Sequence, residues 1–427
     1  MNDNTTALRE AARCEKKVLE NGLVLLVRPM PGFRDVHVMC GTRFGSVDRS
    51  FTVNGERVDL PAGVAHFLEH KMFESEQGDA FTQYAAVGAS ANAFTSFDKT
   101  CYLFSTTSGV DHALDILLGL VGHPYFTDET VAKEQGIIGQ EIRMYDDSPE
   151  WRMMFALLQG LYHAHPARDD IAGTEESIAR ITPQLLYRCT DAFYAPGNLV
   201  LAAAGNITMQ QVEDAVRRAG MDGGQIPDVQ RHAPAEPPQP AKERQDITMS
   251  IAKPFLGVGF KEAPPAPQDR LKTELICDML GELICGSMTP LFRRLYDGGL
   301  ASADFGGEFL SVDGALCVLF SGETRQPETV RTMLLEEIGR LRREGVDRTI
   351  FTLCKNQMYG QMVCELDSTT GLAGALCSSE LKGRSLFDEM QALTALQPED
   401  IDAALQTMLC TERSTTAVIW PEKEEAE

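Results

Sequence analysis

Residues 66–70 read His-Phe-Leu-Glu-His, and this H-x-x-E-H spacing is suited to holding a metal ion. In a helix of 3.6 residues per turn, positions i and i+4 lie on one face about 40° apart, so His66 and His70 can reach one ion with Glu69 beside them. Two neutral imidazoles suit Zn²⁺, and a catalytic zinc site usually adds one further protein ligand and keeps a position for water. Glu69 is then placed to take a proton from that water.

The neighbours of this motif favour a metal site over a chance meeting of polar side chains. The same helix carries an apolar stripe that would bury it, made up of Val64, Phe67, Leu68, Met72 and Phe73. Burying two histidines and a carboxylate without partners is costly, and a bound metal removes that cost.

A third ligand has to come from another segment, and the helical periodicity of residues 128–145 makes that segment the best candidate. Glu134 and Glu141 lie two helical turns apart there, so their carboxylates share one face. One of them can bind the metal while the other holds a ligand imidazole in its tautomer. The spacing alone leaves open which glutamate does which.

These residues and several longer stretches resemble the pitrilysin/insulinase family of zinc metallopeptidases, which includes the mitochondrial processing peptidases and has the inverzincin form of the motif. The resemblance covers the first half of the chain, in HFLEHKMF, GASANAFTSFDKTCYLFSTT, HPYFTDETVAKEQGIIGQEI and FYAPGNLVLAAAGNI. It implies one Zn²⁺ per chain held by His66, His70 and Glu141, with Glu69 as general base and Glu134 as the carboxylate that orients a ligand histidine. HFLEHKMFE, GIIGQEIRMYDD and DIAGTEESI are similar to the bacterial YmfH type of the family, which is associated with modification of elongation factor P.

The resemblance also implies how a substrate is bound. The stretch Ser90, Ala91, Asn92 and Ala93 is similar to the family's substrate-pairing edge strand. A peptide added to such a strand is held by backbone hydrogen bonds, which give affinity with little sequence selectivity. The implied activity is that of a zinc-dependent metalloendopeptidase hydrolysing peptide bonds in short or unfolded polypeptides, within a chamber between two domains.

One part of the family pattern is missing from the second half of the chain. Single-chain and homodimeric members carry L-F-x-x-L-R-E-x-x-G-L-A-Y, whose Arg and Tyr bind substrate and stabilise the tetrahedral oxyanion. This chain has the shorter stretch LFRRLYDGGLAS, with Tyr296 in place of the Arg and Ser302 in place of the Tyr, and Arg293 and Arg294 lie nearby on other faces of the helix. Losing one oxyanion donor typically lowers the rate about 100- to 1000-fold.

The missing pair bears on the partners that we expect. A homologous subunit that supplies the Arg/Tyr pair would make this chain the zinc-bearing subunit of a heterodimer, and a homodimer is the other arrangement known in the family. The alternative from a different class is a non-catalytic binding or scaffold subunit of a peptide- or protein-modification complex.

The order of elements divides the chain into two similar halves. Each half opens with strand-like runs, passes through a loop into an amphipathic helix and then mixes strands and helices. Five prolines indicate a semi-rigid linker between the halves. The patterns predict a duplicated α+β protein, with a zinc-binding catalytic domain at 1–222, the linker at 223–247 and a homologous domain without a metal site at 248–427. The resemblance implies mixed, mainly antiparallel sheets packed with helices, arranged as half of a clamshell.

The composition limits the classes of partner. The chain has 427 residues, with 39 Lys and Arg against 62 Asp and Glu, for a net charge of −23. This charge argues against nucleic acid and against an anionic membrane surface as partners. No uncharged apolar run of about 18 residues and no apolar segment of signal-peptide type is present, so we expect no membrane span. Eleven cysteines without a C-x-x-C pair fit free thiols in a reducing compartment, and we expect a cytoplasmic protein.

Overall fold

The computed structural model describes residues 13–76 and 78–422. The contacts within this part of the chain divide it into two compact units. The first unit contains the described residues up to Gln140, together with Asp170–His232 and Gln361–Gln391. The second contains Glu141–Asp169, Ala233–Gly360 and the described residues from Ala392 onward. Each unit is therefore assembled from segments that are distant in sequence.

Strands and helices are mixed along both halves of the described chain. The strands are β1 (Glu15–Val18), β2 (Val24–Pro29), β3 (Val36–Thr42), β4 (Ser50–Val53), β5 (Glu56–Asp59), β6 (Glu74–Ser75), β7 (Gly78–Asp79), β8 (Ala89–Thr95), β9 (Thr100–Thr106), β10 (Leu199–Gly205), β11 (Val229–Arg231), β12 (Arg244–Met249), β13 (Phe255–Glu262), β14 (Gly306–Val312), β15 (Ala315–Glu323) and β16 (Ser414–Pro421). The α-helices are α1 (Val64–Met72), α2 (Ala80–Ala86), α3 (Val110–Gly122), α4 (Asp128–Asp146), α5 (Pro149–Leu161), α6 (Glu175–Ile178), α7 (Pro183–Phe193), α8 (Met209–Arg218), α9 (Arg270–Cys285), α10 (Pro290–Asp297), α11 (Pro327–Glu344), α12 (Arg348–Glu365), α13 (Thr369–Leu381), α14 (Leu386–Ala395) and α15 (Pro398–Leu405).

The first unit is built on a six-stranded sheet in the order β1-β2-β10-β3-β9-β8. β2 and β10 run parallel, and the other neighbouring strands run antiparallel. The central strands β3 and β10 are buried along their whole length, and apart from His37 and Thr42 their residues are apolar or small. β8 is the last strand of this sheet and lies against α1, so one edge of the sheet adjoins the helix with the H-x-x-E-H motif.

The second unit repeats this topology. Its five-stranded sheet has the order β12-β16-β13-β15-β14, with β12 and β16 parallel and the other neighbours antiparallel. Strand for strand, this is the arrangement β2-β10-β3-β9-β8 of the first unit. The predicted α+β class with two homologous, mainly antiparallel domains is therefore confirmed.

Each sheet is covered on one face by a helix from the other half of the sequence. α13 lies on β3 and β10 of the first sheet, and α5 lies on β13 and β16 of the second. Glycines allow the close approach: a Cβ on Gly257 would lie 2.3 Å from the Sδ of Met153 in α5. The compact units are thus interleaved in sequence. The bounds 1–222 and 248–427 stay a prediction of where the two duplicated halves begin and end.

The proline-rich segment 223–247 contains ordered structure. β11 pairs with β4, and β12 begins at Arg244. Between them, Glu236 accepts hydrogen bonds from the backbone N–H groups of residues 163–165 and pairs with the buried Lys261 at 2.7 Å. Although burial raises the pKa of Glu236, the hydrogen bonds from Lys261 and the three N–H groups lower it to about 2. This segment is anchored by pairing at more than one point along its length.

Across the described ranges, no single helix has the length and apolar composition needed to cross a membrane. One bent pair, Pro267–Cys285 with Pro290–Asp297 at 47°, meets these criteria by length and composition only.

The contact between α13 and the first sheet can be tested at Gly41. A Cβ at this position of β3 would lie 2.6 Å from Cδ1 of Leu381 and 2.8 Å from Sγ of Cys377. We predict that G41A lowers the free energy of unfolding by about 1–3 kcal/mol, because the added methyl overpacks this contact. The matched control is G119A in α3, where nothing lies within 4 Å of the new Cβ. There we expect a gain of about 0.5–1 kcal/mol, from the lower entropy of the unfolded chain. Urea unfolding curves measure both, and equal stabilities of the two variants would contradict the packing.

Candidate metal centre

The start of α1 is defined by a glycine that no other residue could replace without strain. Gly63 has a left-handed backbone, with φ of 88°, and a Cβ there would lie 2.4 Å from the carbonyl oxygen of Ala172. Phe67 and Leu68, both fully buried, hold the apolar side of the helix. These constraints fix the rotation of α1 and therefore the direction of its polar face.

The polar face of α1 brings its two histidines together. The ring centroids of His66 and His70 lie 4.6 Å apart, with their planes at 60°. His66 and Glu69 are each only 8% exposed, so the helix buries polar groups that require specific partners. The i, i+4 geometry expected from the spacing is the one observed.

Glu134, on α4, holds one of these imidazoles. Thr127 accepts a hydrogen bond from the backbone N–H of Thr130 at 3.2 Å and so caps the start of α4. Seven residues after Thr127, the buried Glu134 accepts a hydrogen bond from Nδ1 of His70, with Nδ1 and Oε1 3.0 Å apart. A carboxylate on Nδ1 fixes the imidazole tautomer that leaves Nε2 as the ligand atom.

Glu141 completes a group with the geometry of a metal site. One ligand atom from each of His66, His70 and Glu141 can be chosen so that all lie within 4.8 Å of one another. The division between the two units falls just before Glu141, but α4 is one continuous helix from Asp128 to Asp146, and this helix places Glu141 two turns after Glu134. Two imidazole nitrogens and a carboxylate oxygen are a donor set that Zn²⁺ takes in catalytic sites, so the residues fit this ion.

Glu69 lies beside this group and is held by a residue of the sheet. The hydroxyl of Thr95, at the end of β8, donates a hydrogen bond of 2.7 Å to Oε2 of Glu69. Tyr102 and Tyr194 are buried close by and share a hydrogen bond of 2.7 Å between their hydroxyls. Burial raises the pKa of both tyrosines, and the charge of Glu69 raises it further. Both phenols therefore stay protonated next to the carboxylate.

A segment that the sequence did not single out for the site braces both helices. Ser177 donates a hydrogen bond of 2.8 Å to the carbonyl oxygen of Ala62, directly before α1. Gln135, next to Glu134 on α4, donates to the carbonyl oxygen of Ile178 at 3.2 Å. The start of α1 and the middle of α4 are thus tied to one short segment. The stretch DIAGTEESI contains these residues, and its similarity to the family was the one sign in the sequence that this segment matters for the site.

A buried lysine adds a second connection between α1 and α4. Lys71 is fully buried and pairs with Glu74, just after the end of α1. The other carboxylate oxygen of Glu74 lies 3.8 Å from Nζ of Lys133 on α4. Sequence patterns missed this connection because lysine and glutamate in a helical region usually indicate an exposed surface.

The predicted substrate strand coincides with β8, the edge strand of the first sheet. Ser90 and Asn92 are exposed, whereas Ala91 and Ala93 are half-buried, as expected for side chains that alternate between the two faces. Ala93 pairs with Tyr102 of β9, so its side chain lies on the sheet face that also carries Thr95. β8 and Glu69 are thus neighbours.

The second unit has its own internal partners for the residues that replace the family's Arg/Tyr pair. Tyr296 is 50% exposed and its ring stacks on Phe292 with centroids 5.6 Å apart. Ser302 donates through its backbone N–H and its hydroxyl to the carbonyl oxygen of Glu323, at 3.0 and 3.3 Å. Arg294 pairs with the buried Glu337 at 3.3 Å. Neither replacement side chain offers the positive charge of the missing Arg.

Comparison with known proteins gives consistent matches along the chain. Residues 54–175 match the model for insulinase (peptidase family M16), and residues 180–358 match the model for the peptidase M16 inactive domain. A Bacillus subtilis protein named uncharacterized zinc protease YmfH is 35% identical over 97% of this chain and 97% of its own length. A crystal structure of an M16-like peptidase from Alicyclobacillus acidocaldarius has a TM-score of 0.92 and 32% identity, covering 96% of this chain and 98% of the other. A protease from Helicobacter pylori, with a TM-score of 0.82 and 20% identity over 96% of this chain and 100% of its own, supports the fold alone.

The hydrogen bond from His70 to Glu134 predicts a measurable effect on metal binding. In E134A, the imidazole of His70 loses the acceptor that fixes its tautomer, and we expect the affinity for Zn²⁺ to fall about 10- to 100-fold. Competition with a chromophoric chelator measures this affinity. The matched control is E129A, which removes an exposed carboxylate from the same helix. Equal zinc affinity of the two variants would show that Glu134 does not support the ligand set.

Proposed function

The chain belongs to the insulinase family, peptidase family M16, and on this basis we propose that it is a zinc-dependent endopeptidase that hydrolyses peptide bonds in short or unfolded polypeptides. The observation that carries the proposal is the convergence of His66, His70 and Glu141, with ligand atoms within 4.8 Å, next to the carboxylate of Glu69. This donor set with an adjacent carboxylate is the minimum that metal-assisted hydrolysis requires.

The roles of the individual side chains follow from their contacts. His66, His70 and Glu141 would hold Zn²⁺, which when bound polarises the scissile carbonyl and lowers the pKa of its water towards about 7. Thr95 donates to Oε2 of Glu69, and we expect the other oxygen, Oε1, to accept the proton of the attacking water. The same oxygen then returns the proton to the nitrogen of the leaving amine.

Peptide binding is proposed at the open edge of β8. An extended peptide would add to this strand along Ser90, Ala91, Asn92 and Ala93 through backbone hydrogen bonds. Ala91 and Ala93 have small side chains and lie on the face that carries Thr95. This mode of binding requires a segment that can become extended, which favours short or unfolded substrates.

We further propose that a homologous subunit supplies the missing Arg/Tyr pair, so that this chain is the zinc-bearing member of a heterodimer. Ser302 in place of the Tyr is engaged with Glu323, and Arg294 is engaged with Glu337. The guanidinium of Arg294, in α10, is therefore held within its own unit.

The free thiols of the chain fit a reducing compartment, and the cytoplasm is the expected location.

The role of Glu69 separates a peptidase from a scaffold subunit. In E69Q, the amide cannot accept the proton, and we predict that cleavage of an unfolded protein substrate falls about 100- to 10,000-fold while zinc content stays the same. Zinc content is measured by atomic absorption on the same preparation. The matched control is E76Q, an exposed glutamate shortly after α1, which should cleave like the wild type. Unchanged cleavage or unchanged cellular function in E69Q would favour the non-catalytic scaffold instead.

The partner proposal predicts that turnover depends on a second chain. We expect the protein purified alone to cleave peptides at least about 100-fold more slowly than the complex co-purified from the native cell, because an oxyanion donor is missing. Steady-state rates at equal zinc occupancy provide the comparison. Full turnover by the isolated chain would refute the heterodimer, though not the peptidase activity.

A further inference from the structure

We propose that Thr95 is a positioning residue for Glu69, and that it links the binding of a peptide on β8 to the orientation of the base. The inference rests on the proposed peptidase function and deepens it. Its basis is the hydrogen bond of 2.7 Å from the hydroxyl of Thr95 to Oε2 of Glu69, which joins the last residue of the edge strand to the helix with the metal ligands.

The neighbouring hydroxyl of Thr100 does not compete for this hydrogen bond. Thr100 lies opposite Thr95 in the β8–β9 pair, with their hydroxyl oxygens 3.4 Å apart. Thr100 donates its single proton to the carbonyl oxygen of Phe44 at 2.9 Å. Thr95 also has one proton, and Oε2 of Glu69, at 2.7 Å, is a closer acceptor than the hydroxyl of Thr100 at 3.4 Å. The contact therefore holds one oxygen of the Glu69 carboxylate and leaves the other for a different partner.

Within the described residues, the chain on the two sides of Thr95 is hydrogen-bonded differently. After Thr95 the chain turns, and the turn is pinned because Ser46 donates to the carbonyl oxygen of Ser96 at 3.0 Å and Val47 to that of Phe97 at 3.0 Å. Before Thr95 lies the edge strand, which pairs with β9 on one side. A peptide added to the other side would supply a second row of hydrogen bonds and restrict the motion of this strand.

This arrangement predicts an effect of peptide length on turnover. A peptide long enough to pair with β8 would order Thr95, and through it Glu69, whereas a very short peptide with the same scissile bond would not. Small misplacements of a catalytic group cost up to about 100-fold in rate. Length should therefore raise kcat as well as lower KM, and the gain in kcat should depend on the hydroxyl of Thr95.

The test uses three variants of the complete chain, with its partner subunit where activity requires it. T95V removes the hydroxyl but keeps the branched shape, T95S restores the hydroxyl, and T106V removes a buried hydroxyl of β9 that bonds to the carbonyl oxygen of Ser108. We expect T95V to lower kcat about 10- to 100-fold, with KM and zinc content within about twofold of the wild type. T95S should recover kcat to within about threefold, and T106V should keep it.

A comparison of substrates tests the link to the strand. Peptides of about four and about ten residues with the same scissile bond should differ in kcat for the wild type and differ much less for T95V. A loss in T95S as large as in T95V, a change confined to KM, or the same length effect in both proteins would overturn the inference while leaving the peptidase function in place.

Crystal structures of the metal-free proteins give a readout that does not depend on activity. The carboxylate of Glu69 should have one orientation in the wild type and T106V, and more than one in T95V. An identical, single orientation in T95V would overturn the positioning role. Absence of any cleavage by wild-type complex would contradict the proposed function itself, and the crystal structures would still decide whether Thr95 orients Glu69.

Discussion

The hydrogen bond between Nδ1 of His70 and the carboxylate of Glu134 joins the two helices that carry the candidate metal ligands. The side chain of Glu134 is buried and that of His70 is 26% exposed, so the contact would be costly to leave half-made on the side of the buried carboxylate. It turns the imidazole so that its other nitrogen is available, and it fixes the rotation of α4 relative to α1. Because Glu141 lies two turns further along α4, the same rotation brings its carboxylate to the histidines.

The surrounding structure can be understood as support for that geometry. Gly63 lets the chain begin α1 close to the carbonyl of Ala172. Ser177, in the segment 170–178, donates a hydrogen bond to Ala62, directly before this helix. Gln135, next to Glu134 on α4, donates a hydrogen bond to the same segment. On the sheet side, Thr95 holds the base. These polar contacts connect groups on rigid helices and strands, which is what keeps a catalytic constellation within the small tolerances that chemistry needs.

Much of the site could be predicted from local periodicity, because its main elements are helices. The helical repeat brings His66, Glu69 and His70 together, and it puts Glu134 and Glu141 on one face. The contacts of Thr95, Ser177 and Gln135 could not be predicted, since they join residues that are far apart in sequence or depend on which backbone carbonyl lies opposite. The sequence also did not predict that α5 covers the second sheet and α13 the first, each coming from the other half of the chain. An amphipathic pattern indicates that a helix face is buried, but it does not say which sheet buries it. The duplication was predictable from element order, and its strand-for-strand detail required the pairing registers.

Zinc binding by His66, His70 and Glu141 underlies everything proposed for this chain. Anomalous X-ray scattering at the zinc absorption edge, from crystals of the purified protein loaded with zinc, tests it most directly. We expect one ion per chain, bonded to one nitrogen of each histidine and to the carboxylate of Glu141, with Glu134 on Nδ1 of His70 and outside the coordination sphere. A protein that takes up no zinc, or one in which Glu134 is the ligand in place of Glu141, would contradict the account.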